Sequence, residues 1–181
     1  TKNLGCAGDG GMIFTNNTEL NQKLRMLKSH GQSEKYEFNI AGYNSRLDTI
    51  QAAILNVKIG NLENQITERQ ANAELYSKLL KECNTITLPI LKNNTFNQYT
   101  IQVKNGLRNK LKHVLDSKNI QTMIYYPKPM HQQPAYKAFN KSTLHNSAQL
   151  CETSLSLPIF SGLTREEISY ICLSILEFDN N

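Results

Sequence analysis

The chain has 181 residues, with 20 Lys and Arg against 15 Asp and Glu and a formal charge of +5, long enough for one domain with a sizeable core. No run of about 18 apolar residues occurs, so no membrane-spanning helix is expected, and no charged-then-apolar leader opens the sequence, so no secretion signal is expected. The mild basic excess suits an anionic ligand, whereas the scatter of the charges and the lack of a helix-turn-helix with a basic recognition helix argue against a nucleic-acid partner.

The opening, Thr1-Lys2-Asn3-Leu4-Gly5-Cys6-Ala7-Gly8-Asp9-Gly10-Gly11, runs a lysine into a glycine-rich stretch. The glycines let the backbone turn tightly. A lysine at such a turn suits Schiff-base chemistry where its surroundings desolvate it. The spacing is not that of a nucleotide P-loop. Met12 to Thr15 reads as a short strand. Thr18 is the expected N-cap of a helix to about Ser29, with Leu20, Leu24 and Leu27 on one side and His30-Gly31 as its stop. Gln32 to Asn44 is polar and irregular, and a loop of that length usually has a function. Ser45 to Asp48 has capping-box spacing. A long helix is expected from about Asp48 to Lys81, bent at Gly60-Asn61, with Ile50, Ile54, Val57, Leu62, Ile66, Ala73, Tyr76 and Leu80 facing inward.

Ile86 to Leu91, Tyr99 to Val103 and Thr122 to Tyr126 read as strands. A helix over Leu107 to Ser117 sits between the last two, with Leu107, Leu111, Val114 and Leu115 on its apolar face and its charges solvated. Pro127, Pro129 and Pro134 exclude regular structure there. A helix is expected around Ser147 to Leu155. Thr164 to Glu167 is a capping box for a last helix that turns Ile168, Ile171, Cys172 and Ile175 inward. Cys6, Cys83, Cys151 and Cys172 form neither a CxxC pair nor a zinc spacing, so free thiols and no metal are expected. His113 and His145 fall on helices and are expected to be exposed.

Three segments carry chemistry. They are Lys2-Asn3-Leu4-Gly5 with its glycine run; His30-Gly31, Lys35-Tyr36 and then Gly42-Tyr43-Asn44-Ser45-Arg46-Leu47-Asp48-Thr49-Ile50-Gln51-Ala52-Ala53-Ile54-Leu55; and Tyr125-Tyr126-Pro127-Lys128-Pro129-Met130-His131 through Tyr136. Their order and wording resemble the sugar-nucleotide aminotransferases of the DegT/StrS type, fold-type I pyridoxal-phosphate (PLP) enzymes related in fold to aspartate aminotransferase. The resemblance covers essentially the whole chain. It implies an α/β fold, the C-terminal part of a PLP-dependent transferase. Residues 1–60 would be a remnant of the large PLP-binding domain with an interface segment, and 61–181 a small C-terminal α/β domain reached through the long helix.

The resemblance also implies roles. Lys2 matches the Schiff-base lysine, which holds the cofactor and then shuttles a proton. Asn44 matches an asparagine that reaches the PLP phosphate of a partner subunit, and Arg46 is placed for anionic substrate groups. The local alternative is that Asn44 or Ser45 merely caps the long helix. Tyr125, Tyr126 and His131 match a loop that contacts the nucleotide sugar. Many relatives have His where this chain has Tyr125, which weakens any acid role there. The activity implied is amino transfer from glutamate to a nucleotide-linked ketosugar, for surface polysaccharide precursors. Within the family the wording is closest to enzymes acting on a UDP-linked 2-acetamido-3-keto-hexuronic acid. A cytoplasmic homodimer with shared sites is implied. Relatives run to about twice this length, so the isolated chain is expected to be inactive or nearly so. The alternative is a non-catalytic remnant that serves as a dimerisation or binding module.

Overall fold

The computed structural model describes residues 2–139 and 144–180. The chain divides into two compact units, Thr1–Leu62 and Glu63–Asn181.

The first unit is built on α1, Thr18–Leu27. Its N-cap is Asn17 rather than the expected Thr18: Asn17 Oδ1 accepts from the Leu20 amide at 2.9 Å, and Thr18 becomes the first helical residue. An amide oxygen serves this position at least as well as a hydroxyl. After α1 the chain reverses through His30 and Gly31, both at positive φ (62° and 83°). The segment that follows is more ordered than its polarity suggests. β1 (Gln32–Glu34) pairs antiparallel with β2 (Glu37–Phe38) across a turn in which Tyr36 has φ 70°. These short strands have no buried residue, so no apolar alternation marks them. Met12 to Thr15, expected as a strand, is unpaired among the described residues, and Met12, Ile13 and Phe14 are exposed. A strand needs a neighbour to accept its ladder.

The expected continuous helix is two helices, α2 (Thr49–Ile59) and α3 (Leu62–Leu79), separated at Gly60-Asn61. Glycine is a weak helix former, and the Asn61 amide closes back on Lys58 O instead of continuing the α2 ladder. The capping box at Ser45 does not form. Asp48 takes the N-cap position without a side-chain bond, and the Ser45 amide is spent on Lys28 O at 2.9 Å. Ile50 and Val57 are exposed, so the buried stripe starts only in α3, with Ala73 and Tyr76, and runs on to Leu80.

The second unit holds the core. β3 (Ile86–Thr87), β4 (Tyr99–Val103) and β5 (Ser154–Leu157) form an antiparallel sheet in the order β3-β4-β5. Tyr99, Ile101 and Val103 are buried, and Tyr99 and Ile101 lie opposite Leu157 and Leu155 in register, the cross-strand pairing that stabilises sheets. The Tyr99 ring stacks on Tyr76 at 4.9 Å. The Tyr76 hydroxyl donates to Pro158 O at 2.9 Å. β3 is shorter than the expected 86–91. The third strand comes not from 122–126, which contributes only the Met123–Ser156 bridge, but from 154–157. The helix before it, α5 (His145–Thr153), therefore ends sooner than expected.

α4 (Arg108–Ser117) buries Leu111 and Leu115 as expected. Its Arg108 is not solvated with the other charges: it is buried and donates to Cys151 O and Ser154 O at 3.1 and 3.2 Å. His113 and His145 are exposed. The four cysteines are free thiols. Burial pushes the Cys172 thiol up to about 12 and raises Cys83 as well, so both act as apolar packing groups rather than nucleophiles.

α6 (Arg165–Asp179) starts at a complete capping box. Thr164 Oγ1 accepts from the Glu167 amide at 3.2 Å, and Glu167 Oε2 accepts from the Thr164 amide at 2.8 Å. Ile168, Ile171, Cys172 and Ile175 face the core. Thr164→Ala is expected to cost about 1 kcal/mol of stability, read as a lower urea midpoint at unchanged slope.

Candidate functional site

Lys2 is exposed. The glycine-rich segment behind it is fastened to one face of α2. Gln51 Oε1 accepts from the Ala7 and Gly8 amides at 2.9 and 3.1 Å, and Lys58 Nζ donates to Gly5 O. Cys6 Sγ donates to Gly8 O at 2.8 Å, which turns the thiol into the loop's own backbone.

Asn44 and Arg46 are exposed, and the structure brings them together: Arg46 Nε donates to Asn44 Oδ1 at 3.2 Å. This bond leaves the Asn44 amide nitrogen and both terminal nitrogens of Arg46 unengaged among the described residues. Asp48 holds the N-cap position of α2, so Asn44 and Ser45 do not cap it.

Backbone, not side-chain packing, holds this pair in place. His30 N donates to Tyr43 O at 2.8 Å, Tyr43 N to Leu27 O at 2.7 Å and Ser45 N to Lys28 O at 2.9 Å. Ser29 and Asn44 form an isolated bridge. The bonds require Gly31 and Gly42 to touch. A β-carbon on Gly42 would lie 2.1 Å from Gly31 N, and one on Gly31 would lie 1.6 Å from Ile40 O.

In the second unit, Tyr125 and Tyr126 pair edge to face at 5.7 Å. Tyr125 lines a cleft of about 580 Å³ with Gln98, Gln121, Met123, Ser156 and Phe160. His131 lies in a short 3-10 turn, Met130–Gln132. Among the described residues it hydrogen-bonds to neither tyrosine. Gln51 and Lys58 are the functional candidates that sequence reasoning passed over. Their signal was two polar side chains seven residues apart, hence on one helix face, within an otherwise largely apolar helix. Among the described residues no helix is long and apolar enough to cross a membrane, and no three His, Cys, Asp or Glu could hold a metal ion.

The fold is that of part of a PLP-dependent transferase. Residues 1–176 match the DegT/DnrJ/EryC1/StrS aminotransferase family, and the chain belongs to it. Enzymes of this family are PLP-dependent. The chain is 40% identical, over 98% of its length and 49% of the relative's, to a pleiotropic regulatory protein of Geobacillus stearothermophilus. It is 38% identical, over 97% of its length and 48% of the relative's, to a UDP-2-acetamido-2-deoxy-3-oxo-D-glucuronate aminotransferase of Pseudomonas aeruginosa. Among solved structures it is similar to S. venezuelae DesV in complex with a ketimine intermediate, with TM-score 0.91 and 32% identity, covering 99% of this chain and 48% of that one. The chain thus spans about half the length of the relatives it matches, their C-terminal portion, and has the corresponding part of the PLP-transferase fold.

Gly42→Ala is expected to break the contact with Gly31 and free the segment carrying Asn44. The measurement is amide exchange. The Tyr43 and Ser45 amides should exchange at least about tenfold faster, the loss of roughly one net hydrogen bond each, while α6 is unchanged.

Proposed function

We propose that this chain carries the cofactor-anchoring lysine and part of the substrate surface of an aminotransferase that moves an amino group from glutamate to a nucleotide-linked ketosugar. One observation carries this reading. The family match runs unbroken from the Lys2 segment through the Asn44–Arg46 pair to α6. The 38%-identical relative named for a UDP-3-keto-hexuronate supports that sugar class.

When bound, PLP supplies the electron sink that lets a carbon–hydrogen bond next to the amino group ionise. Lys2 Nζ is the primary amine that would hold the group covalently and, when free, carry the proton. Asn44 offers neutral N–H donors suited to a phosphate oxygen. Arg46, kept in place by its bond to Asn44, points a planar pair of donors at a carboxylate or phosphate. Tyr125 and Tyr126 offer ring faces and hydroxyls to a sugar or base, and His131 adds a hydrogen-bonding group on the same loop. The exposed Met12, Ile13, Phe14, Ile50 and Val57 support association through the first unit, as a homodimer with shared sites. Residues 1–60 act as cofactor-side and interface elements, and 61–181 as the small domain of a cytoplasmic enzyme.

The test joins the N-terminal half of the Pseudomonas aeruginosa relative to Thr1 and titrates the product with PLP. A stable absorption band is expected, absent from Lys2→Ala and from the 181-residue chain alone. The fusion should transfer nitrogen from glutamate to a UDP-3-keto-hexuronate faster than to a dTDP-ketosugar. A band that survives Lys2→Ala would defeat the assignment of Lys2.

A further inference from the structure

We infer that Gln51, with Lys58, is a positioning latch for the lysine loop. Between Lys2 and Met12, four of nine residues are glycine: Gly5, Gly8, Gly10 and Gly11. Such a segment has the largest backbone entropy to lose on ordering, and an exposed lysine at its head gains no direction from packing. Three hydrogen bonds from α2 supply what packing does not. The single carbonyl oxygen of Gln51 takes two successive amide protons, Ala7 N–H and Gly8 N–H, at 2.9 and 3.1 Å. Lys58 Nζ donates to Gly5 O. Residues 51 and 58 are two helical turns apart on one face, about 10.5 Å along the axis. They therefore hold the Lys2 half of the loop at two points, Gly5 and Ala7-Gly8, the nearer of them three residues from Lys2.

The loop is also fitted to Gln51 in shape. A β-carbon on Gly8 would lie 3.2 Å from Gln51 Nε2, so glycine there lets the backbone settle against the amide. Residues 51 and 58 are not in the reacting group. They act through the backbone, and their bearing on catalysis rests on Lys2 being the covalent anchor proposed above.

Two variants separate the geometry from general stability. Gln51→Leu keeps the volume and removes the acceptor. Gln51→Glu keeps an acceptor that both amides can reach. In the 181-residue chain, amide exchange at Ala7 and Gly8 should rise about tenfold in Gln51→Leu, return toward the original rate in Gln51→Glu, and stay unchanged through α1. Equal rates at the two amides in all three proteins would overturn the latch. So would a rise spread evenly over the whole first unit, which would make Gln51 a general fold determinant. In the fusion described above, the PLP band should weaken or shift in Gln51→Leu and recover in Gln51→Glu. An unaltered band in Gln51→Leu would overturn the positioning role. Loss of the band from the unsubstituted fusion would instead strike the Lys2 assignment, while the exchange data would still decide whether the loop is latched.

Discussion

Everything at the Asn44 end of the first unit depends on two backbones touching. A β-carbon on Gly42 would strike Gly31 N and one on Gly31 would strike Ile40 O, and Gly31 also needs the left-handed φ of 83° that other residues adopt only with strain. Only this contact lets the Tyr43 and Ser45 amides reach the last carbonyls of α1, which a helix leaves without internal partners. The helix end is satisfied and the segment carrying Asn44 is fixed by the same bonds. Asn44, between the two donating residues, takes its position from α1.

The two units are stabilised differently. Every residue of the buried apolar core lies between Ala73 and Ile175, and α1 and α2 have no buried residue. A fully buried large apolar side chain contributes roughly 1.5–3 kcal/mol, whereas an intramolecular hydrogen bond contributes about 1 kcal/mol net. The first unit relies on the weaker kind. Segments of that sort open locally at low cost. Its exposed Met12, Ile13, Phe14, Ile50 and Val57 form the kind of apolar surface that gains most from being covered. Lys2, Asn44 and Arg46 therefore sit where added contacts would change order most.

The legibility of the sequence follows the same division. In the second unit, β4, α4 and α6 could be read closely, because burial imposes period 2 on Tyr99, Ile101 and Val103 and a helical stripe on Ile168, Ile171 and Ile175. β5 was hidden, because Ser154 and Ser156 are buried as well as Leu155 and Leu157, so polarity did not report the face. Arg108 was hidden for the opposite reason: a charge normally marks the solvated side of a helix, and here two backbone carbonyls take it inside. In the first unit, periodicity misled. Ile50 and Val57 have the spacing of a core stripe but are exposed. The hairpin at Gln32 to Phe38 is set by turn geometry at Tyr36 rather than by burial. The family wording picked out the Lys2 segment and the Asn44–Arg46 pair, but not the hydrogen bonds that hold them, since these join residues distant in sequence, more than 40 positions apart in the lysine loop.

The geometry also removes the local account of Asn44 as a helix cap. A capping side chain spends its oxygen on a helix amide. That oxygen is instead given to Arg46 Nε, and the cap position belongs to Asp48. The interaction orients both residues: it fixes the Asn44 amide so that its nitrogen faces away from the guanidinium, and it leaves Arg46 its two terminal nitrogens. An asparagine and an arginine arranged this way present adjacent donors, one neutral and one charged, the pair that the proposed function assigns to an anion. In the second unit Tyr125 and Tyr126 present a paired set of ring faces. Under the proposed function, recognition by that pair would rest on shape and hydrogen bonding, and the proton transfers would fall to Lys2.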